Sequence, residues 1–294
     1  MPSPAPEPLA PRPLTVWLVN PFDDIPGEGL PPLRYWTLAR ILAARGHDVT
    51  WWSSTWSHRR KAVRAVPLGI REDEGFSVRL VATPPYARNV SLARLRSHRD
   101  FGRTFERLAN ESVASRQLER PDIILASLPP LEGPEAALRL ARRMDATLVV
   151  DLMDVWPETF ARLLPGPAFI RGPLAKLLLG GMHRRRAELI AAADAVSAAT
   201  NAYAATVLEG LPAERPRHVC YVGAYVEEFQ PPPRLIDTVP PAGGVAGPPP
   251  TFEPVQCVYA GSLGTGQDLQ ALVAKIYAAP PGVIERTKAA LNPK

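Results

Sequence analysis

Two carboxylates stand three residues apart in the segment DLMDVWPE, residues 151–158. Asp151 and Asp154 follow the apolar run 148–150, which is typical of a strand covered on both faces. Ligands of open α/β sheets bind at the carboxyl ends of strands, so both are candidate catalytic groups that orient a hydroxyl. The alternative is an aspartate helix cap followed by a packed Trp156. Carboxylates also suit a metal, but no third ligand can be named, and we predict no metal site.

A loop with two glycines follows the first predicted strand, at residues 20–34. Glycine lets the backbone approach a ligand, and the amino terminus of a helix favours anions. Gly27, Gly29 and Arg34 are therefore candidate anion-binding residues. The alternative is that the glycines only turn the chain.

A second glycine-rich turn, GSLGTG, follows a predicted strand at 255–260 and precedes a predicted helix at 268–278. Its spacing is neither the dinucleotide fingerprint nor a P-loop. Backbone N–H groups at such a turn can still bind a diphosphate, which makes Gly261, Ser262 and Gly264 candidate ligand-binding residues.

Basic residues concentrate in two segments. In the first, at 88–103, arginines surround His98, which we keep as a candidate site residue. In the second, at 171–186, Lys176, Arg184, Arg185 and Arg186 accompany several leucines, a pattern that suits the surface of an anionic membrane. The alternative is a pair of solvated helix faces. No nucleic-acid-binding motif accompanies the charge, so nucleic acid is not predicted as a partner.

The remaining histidines and the cysteines show no catalytic spacing. His47 is interpreted as a turn residue and His58 as a surface residue. Cys220 and Cys257 are isolated, so neither a zinc site nor a disulfide framework is predicted, and two lone thiols fit a reducing cytosol.

The elements that must position these residues alternate between short apolar runs and longer helical patterns, which predicts an α/β fold with a parallel sheet. Residues 14–53 form a strand–helix–strand unit that ends its helix at Gly46. Further long helices are predicted at about 91–118, 132–143 and 173–192. Seven strands are predicted, near 14–20, 48–53, 78–82, 122–127, 146–152, 194–199 and 217–224.

Composition indicates a globular protein: 294 residues, 46% hydrophobic and 21% charged, with a net charge of +5 that permits an anionic partner. No apolar run is long enough to span a bilayer, and no secretory signal is recognised, so a cytoplasmic location is predicted. Proline, with 35 residues, marks the segment boundaries. We predict a proline-rich tail at 1–13, a domain at 14–230, a linker at 231–254, and the start of a second domain at 255–294.

Taken in order, these segments resemble the retaining GT-B glycosyltransferases of the glycosyltransferase 4 type, in particular bacterial enzymes that build lipopolysaccharide, capsule or exopolysaccharide. The resemblance covers about residues 14–275. It is carried by the loop 20–34 and by LARILAARGHDVTWWSS, SLPPLEGPEAALRLAR, DLMDVWPE, ADAVSAATNAYAATVL and VYAGSLGTGQDL.

The resemblance implies two Rossmann-like domains, with an acceptor domain first and a domain for a nucleotide-sugar donor second. The nucleotide-sugar is a substrate, and no cofactor is implied. Gly27, Gly29 and Arg34 would border the acceptor and the donor phosphates, and Asp151 and Asp154 the cleft floor. Gly261, Ser262 and Gly264 would lie near the donor diphosphate. The acceptor would be a saccharide or a polyprenyl-linked molecule at the inner face of the membrane.

Two departures from the family bear on activity. Its Arg and Lys pair for the diphosphate, and its two glutamates eight residues apart, cannot be placed in this sequence. We therefore expect an incomplete, truncated donor domain and a weak or inactive hexosyltransferase, because little would stabilise the departing diphosphate. The alternative is a non-catalytic remnant or acceptor-binding module. A nucleotide-dependent dehydrogenase is disfavoured, because the glycine turn differs and no acidic residue follows at the ribose position.

Overall fold

The structure is a computed structural model that describes residues 12–65, 70–73, 75–161, 168–208 and 216–222. Side chains at 70–73, 159, 161, 168–171 and 208 are not described. All these residues belong to Met1–Phe229, the first of two units into which the chain divides. The predicted linker 231–254, the predicted second domain 255–294 with Gly261, Ser262 and Gly264, and most of the tail 1–13 lie outside the described residues.

The described domain is built on one eight-stranded sheet, and it confirms the predicted Rossmann-like α/β fold. Seven strands are parallel: β1 (Thr15–Val19), β2 (Asp48–Ser54), β6 (Phe76–Val81), β7 (Ile123–Leu128), β8 (Thr147–Leu152), β9 (Ala195–Ala198) and β10 (Arg217–Val219). β5 (Ile70–Asp73) adds an antiparallel edge, giving the order β10-β9-β8-β7-β1-β2-β6-β5. β3 (Trp56–Ser57) and β4 (Ala62–Val63) form a separate small ladder.

The strands are apolar because helices cover both faces of the sheet. Neighbouring residues of β1, Trp17 and Leu18, point to opposite faces, and both are fully buried. Leu18 packs in a cluster with Tyr35 and Trp36 from the helix α1 (Arg34–Ala44). Each face therefore has its own core, which is the expected arrangement for parallel strands.

The other described helices follow the strands in order. They are α2 (Leu92–Ala114), α3 (Glu132–Met144), α4 (Glu158–Ala161), α5 (Ala168–Ala192) and α6 (Asn201–Leu208). α2, α3, α5 and α6 contribute to the core cluster that contains Trp17, on the face opposite α1. Gly46 ends α1 as predicted, with φ of +85°. α2 ends at Ala114 rather than near 118, and α5 begins five residues before the predicted start.

The strand order places a topological switch between β1 and β7. From β1 the chain moves through α1 to β2, whereas α2 later returns it to the other side of β1, at β7. α1 and α2 thus lie on opposite faces and leave a crevice at the carboxyl ends of β1 and β7, where α/β proteins bind ligands.

Candidate functional site

The loop between β1 and α1 is held in one conformation by its own side chains. Asn20 follows β1, and its Oδ1 accepts hydrogen bonds from the backbone N–H groups of Phe22 (2.7 Å) and Asp23 (2.9 Å). Asp23 Oδ2 accepts from the backbone N–H of Tyr35 (2.9 Å) in the first turn of α1. Burial raises the pKa of Asp23 to about 6. The loop is therefore fixed at both ends above the crevice.

Gly27 and Gly29 supply positive backbone angles, with φ of +81° and +67°. Between them, the buried Glu28 accepts a hydrogen bond from the backbone N–H of Ile25 (2.9 Å) and pairs with the buried Arg64. These angles turn Glu28 inward at positions where a residue with a Cβ would be strained. In this structure the two glycines shape the loop, and a ligand contact at either one stays a prediction.

Arg34 and Asp151 form a buried, bidentate ion pair. Arg34 Nε and Nη2 each lie 2.8 Å from an Asp151 carboxylate oxygen, and the Asp151 side chain is completely buried. Arg34 Nη1 also donates to the Cys220 carbonyl (2.5 Å), and Nη2 to Ser197 Oγ (3.3 Å). One arginine at the start of α1 thus ties together the carboxyl ends of β8, β9 and β10.

This pairing changes what the sequence indicated for both residues. Asp151 was predicted as a candidate catalytic group after the apolar run 148–150; it lies within β8, where its side chain is buried and both carboxylate oxygens accept from Arg34. Arg34 was predicted to border phosphates, but most of its N–H groups already have partners. In this structure the pair connects the start of α1 to the carboxyl ends of the strands, and a substrate contact at either residue stays a prediction.

Asp154 is the more accessible of the two predicted carboxylates. It lies in the loop after β8 and is half-buried, and its Oδ1 accepts from the backbone N–H of Val155 (2.7 Å). It also attracts the positive charge of Arg94, which lies across the crevice on α2. Of the two predicted catalytic carboxylates, Asp154 is therefore the one that a hydroxyl could approach.

His98 lies in an aromatic cluster at the same edge of the sheet. Its ring centre is 5.5 Å from that of Phe22 and 5.9 Å from that of Trp156. Burial and the nearby Arg94 charge lower the pKa of His98 to about 3, so it is neutral at pH 7. Such a ring cannot attract a phosphate by charge, and it can only offer hydrogen bonds.

His58 also belongs to this cluster, and its interpretation as a surface residue is wrong. The ring packs against Phe22 at 5.0 Å between centres, and Nδ1 lies 2.7 Å from the Tyr86 hydroxyl. Burial lowers the pKa of His58 to about 4. The sequence carried no signal for this, because Phe22 and Tyr86 come from loops far away along the chain.

Arg94 provides the positive charge of the cluster. Its guanidinium lies over the rings of Trp156 (4.9 Å) and Phe22 (5.4 Å). Its Nε donates to His98 Nε2 (3.2 Å), and its Nη1 donates to the Asn89 carbonyl (2.7 Å). Because His98 Nε2 accepts, the ring proton is on Nδ1, which has no partner among the described residues.

An apolar groove of about 420 Å³ opens beside Arg94, between the start of α2 and the α4–α5 region. Trp156, Phe160, Leu179 and Met182 line it, and Arg94 and His98 lie at the same groove. Leu92, which also lines the groove, is 84% exposed. A groove with apolar walls and a cation matches a molecule that is largely apolar and carries an anionic group.

The basic residues of α5 divide into two groups. Arg185 pairs with Glu132 (3.1 Å) and Glu135 (2.7 Å), and Arg186 pairs with Glu158 (2.6 Å). Lys176 and Arg184 are exposed, and Leu177 and Leu178 beside Lys176 are exposed as well. The structure therefore separates the four predicted membrane-contact residues: two hold α5 to its neighbours, and two face solvent.

The described ranges hold neither a cluster of metal ligands nor a helix that could cross a membrane. No group of three or more His, Cys, Asp or Glu side chains there could hold a metal ion. None of the helices in those ranges combines the length and the apolar character that a membrane crossing requires.

Comparison with known proteins gives a family match. The model of the glycosyl transferase 4-like domain matches residues 34–223, well over half of the chain. No curated protein matches the sequence significantly. The match includes Arg34, Arg94, His98, Asp151 and Asp154.

Several solved structures are similar at low identity. A sucrose-phosphate synthase from Thermosynechococcus elongatus is 12% identical, with 73% of this chain and 92% of that chain covered and a TM-score of 0.44. HepE of Anabaena, in complex with UDP and glucose, is 14% identical (76% and 48% covered, TM-score 0.42). UGT89C1 of Arabidopsis thaliana, complexed with UDP, is 14% identical (71% and 52% covered, TM-score 0.37).

This chain spans about half the length of HepE and UGT89C1. With TM-scores below 0.5, these likenesses carry no inference about its ligands. The family match stands without them: the chain belongs to the glycosyl transferase 4-like domain family, as the sequence resemblance predicted.

Proposed function

We propose that this protein serves the transfer of a hexose from a nucleotide-sugar to a lipid-linked or polysaccharide acceptor, and that the described domain binds the acceptor. The observation that carries the proposal is the apolar groove beside Arg94 at the carboxyl edge of the sheet. Membership of a glycosyl transferase family supports the reaction class.

The groove favours a lipid-linked acceptor over a free saccharide. Trp156, Phe160 and Leu179 would bury a polyprenyl chain, whereas the saccharide of the acceptor would need polar partners such as Arg94 and His98 at the same groove. Arg94 donates to two neutral groups, the His98 ring and the Asn89 carbonyl, and its charge is also attracted by Asp154. In this proposal its guanidinium pairs with the phosphate that links a polyprenyl chain to a saccharide.

Asp154, in the loop after β8, would then lie close to the acceptor. In this proposal Asp154 orients the attacking hydroxyl, and Asp151 acts indirectly, by fixing Arg34 and with it the start of α1. The donor would be held by the segment that contains Gly261, Ser262 and Gly264, with Gly27 and Gly29 facing its phosphates. The proposal includes no metal and no cofactor.

A peripheral contact with an anionic membrane at the inner, cytoplasmic face fits the same acceptor. Lys176 and Arg184, with the exposed Leu177 and Leu178, are the groups available for it. The double variant Lys176→Glu/Arg184→Glu should lose co-flotation with phosphatidylglycerol vesicles, because its charge would be repelled. The control Arg45→Glu/Arg116→Glu changes the net charge equally and should still float, and equal loss in both variants would contradict the contact.

A transfer assay tests the function. The full chain is incubated with radiolabelled UDP-hexoses or GDP-mannose and with polyprenyl diphosphate-linked saccharides, and label in the lipid phase is counted. We expect at most weak transfer, which should need both substrates, and Trp156→Ala should raise the acceptor KM about tenfold without changing the donor KM. Ile41→Ala, on the exposed side of α1, is the matched control. Acceptor affinity that is unchanged by Trp156→Ala would contradict the groove assignment.

A non-catalytic acceptor-binding module is the second candidate, because the family's paired glutamates were not found in the sequence. Weak or absent turnover by this chain stays a prediction. Isothermal titration separates the two candidates: the module gives saturable heat with the lipid-linked acceptor and none with any nucleotide-sugar, whereas the transferase gives heat with both. The absence of saturable heat with the lipid-linked acceptor would contradict both candidates.

A further inference from the structure

A second cavity lies on the domain, away from the groove. It has a volume of about 580 Å³ and opens between β2, β6 and the last turns of α2. Fourteen residues of helix separate His98 from Ser112, which lines the cavity, so the two places are about 21 Å apart along α2. Nothing in the acceptor or donor chemistry above uses this cavity.

The cavity contains a buried arginine that lacks partners for most of its charge. Arg79 is only 8% exposed, yet it lines the cavity. Its Nη1 donates to Ser112 Oγ (2.8 Å), while Nε and Nη2 have no hydrogen-bond partner among the described residues. Burial lowers the pKa of Arg79, as expected for a cation removed from water without a counter-ion. Such a group is costly unless something pairs with it.

The unpartnered edge of Arg79 has the geometry of a carboxylate or phosphate receptor. Nε–H and Nη2–H lie on the same side of the planar guanidinium and can donate in parallel to two oxygens. Arg34 uses the same pair of atoms to hold both oxygens of Asp151, at 2.8 Å each. The described residues thus contain one such edge that is occupied internally and one that is buried without a partner, in an arginine that lines a cavity.

The surroundings keep this edge in place, and none of the described residues accepts a hydrogen bond from it. The guanidinium carbon of Arg79 lies 5.6 Å from the centre of the Trp52 ring, which supports one side of it. Glu111 is the acidic residue that lines the cavity, but both of its oxygens accept from Arg107 (2.9 and 2.8 Å). Glu111 is therefore engaged on the helix surface, and the charge of Arg79 is available to a ligand.

We propose that this cavity is a binding site for a small anion that presents two oxygens to Arg79, such as the carboxylate or phosphate group of a metabolite. Ser112 would hold the guanidinium from the opposite edge, through its hydrogen bond to Nη1. The site is separate from the acceptor groove, so it does not depend on the proposed function.

Thermal unfolding of the full chain in a Tris buffer tests the site, with succinate as the carboxylate probe and inorganic phosphate as the phosphate probe. At tenfold excess over Kd, the wild type should gain about 3 to 6 °C in Tm with at least one probe. The probe that acts identifies the oxyanion. The Arg79→Met variant should lose that gain, and without probe its Tm should equal or exceed that of the wild type, because an unpaired buried charge has been removed.

Arg103→Met is the matched control, since Arg103 is exposed on α2 and does not line the cavity. It should keep the full gain in Tm. Phosphate bound elsewhere would stabilise the wild type and Arg79→Met alike, so only the difference between them reports this site. An equal gain in both, or no gain with either probe in the wild type, would overturn the proposal. Should Arg79→Met fold poorly, Ser112→Ala provides the second variant, which should weaken probe binding by loosening Arg79.

Discussion

At the scale of single residues, the Arg34–Asp151 pair explains how the crevice keeps its shape. A buried carboxylate and a buried guanidinium are each costly to remove from water, and they are tolerated because the pairing is bidentate. Arg34 also donates hydrogen bonds to Ser197 Oγ in β9 and to the Cys220 carbonyl just after β10. Substitutions at this pair should therefore affect stability first.

Asp151→Asn should lower the free energy of unfolding by about 3 to 5 kcal/mol, because it leaves the Arg34 charge buried without its counter-ion. Urea denaturation measures this. Asp100→Asn breaks the exposed pair with Arg96 (3.7 Å) and should cost less than about 1 kcal/mol. The double variant Arg34→Met/Asp151→Leu should recover much of the loss. A similar, small cost for Asp151→Asn and Asp100→Asn would contradict this role.

His98 should make stability depend on pH. Its folded pKa of about 3 lies below the ordinary value of 6.5, so the unfolded chain takes up a proton first as the pH falls. Stability attributable to His98 is complete above pH 6.5 and declines by about 2 kcal/mol between pH 6.5 and 5. Asp23, with its raised pKa of about 6, acts in the opposite sense, because its folded form holds a proton more tightly.

Because these two effects oppose each other, the quantity to compare between variant and wild type is the change in the free energy of unfolding with pH. In urea denaturation at pH 7 and pH 5, His98→Gln should lose less stability on acidification than the wild type. The exposed His218→Gln should behave as the wild type. An unchanged pH dependence in His98→Gln would show that His98 is not buried in its neutral form.

At the scale of elements, α2 is the helix on which both sites depend. Its first turns carry Arg94 and His98 to the groove, and its last turns carry Ser112 to Arg79. Between them, α2 crosses α3 closely: a Cβ added at Gly102 would lie 2.5 Å from the Glu132 carbonyl oxygen. This close approach of the two helices requires glycine at position 102, because the backbone of Glu132 cannot move aside as a flexible side chain can.

Gly102→Ala should therefore destabilise the domain by about 1 to 3 kcal/mol through overpacking, although alanine favours helices. Gly180→Ala is a matched control within α5, where an added Cβ would meet nothing within 4 Å. That change should stabilise the domain by about 0.5 to 1 kcal/mol. Chemical denaturation of both variants compares them, and a loss of stability in Gly180→Ala or a gain in Gly102→Ala would contradict the packing.

The sequence predicted the elements whose pattern is long and apolar. Central strands such as β1, β7 and β8 are the apolar runs that a covered sheet requires, whereas β10 at the edge is polar, and α1 and α3 show helical spacing with clear ends. The elements that it missed are short: β3 and β4 have two residues each, β5 and α4 have four each, and α6 has eight. Segments of two to eight residues show little or no period, and contacts with the rest of the domain determine their conformation.

The site was predicted by residue type more successfully than by role. Asp151 was identified, but its partner Arg34 lies 117 positions away, and no local pattern reveals such a pairing. The same holds for His58 with Tyr86, and for Arg79, which looks like an ordinary charged residue within a strand. Lone polar residues acquire these roles only when the sheet order brings distant segments together.

At the scale of the whole molecule, a Rossmann-like domain of a glycosyl transferase family carries an apolar, cationic groove at its carboxyl edge. The shape of the crevice depends on Arg34 and Asp151, and the chemistry of the groove on Arg94 and its aromatic neighbours. The central claim is that the apolar part of a lipid-linked acceptor lies in this groove.

Photo-crosslinking with a polyprenyl phosphate that carries a diazirine on its chain tests this claim most directly, with the labelled peptides identified by mass spectrometry. We expect label within residues 89–98 and 156–182, reduced by excess unlabelled lipid and in the Trp156→Ala variant. Label confined to other segments of the domain, with these two unlabelled, would contradict the account.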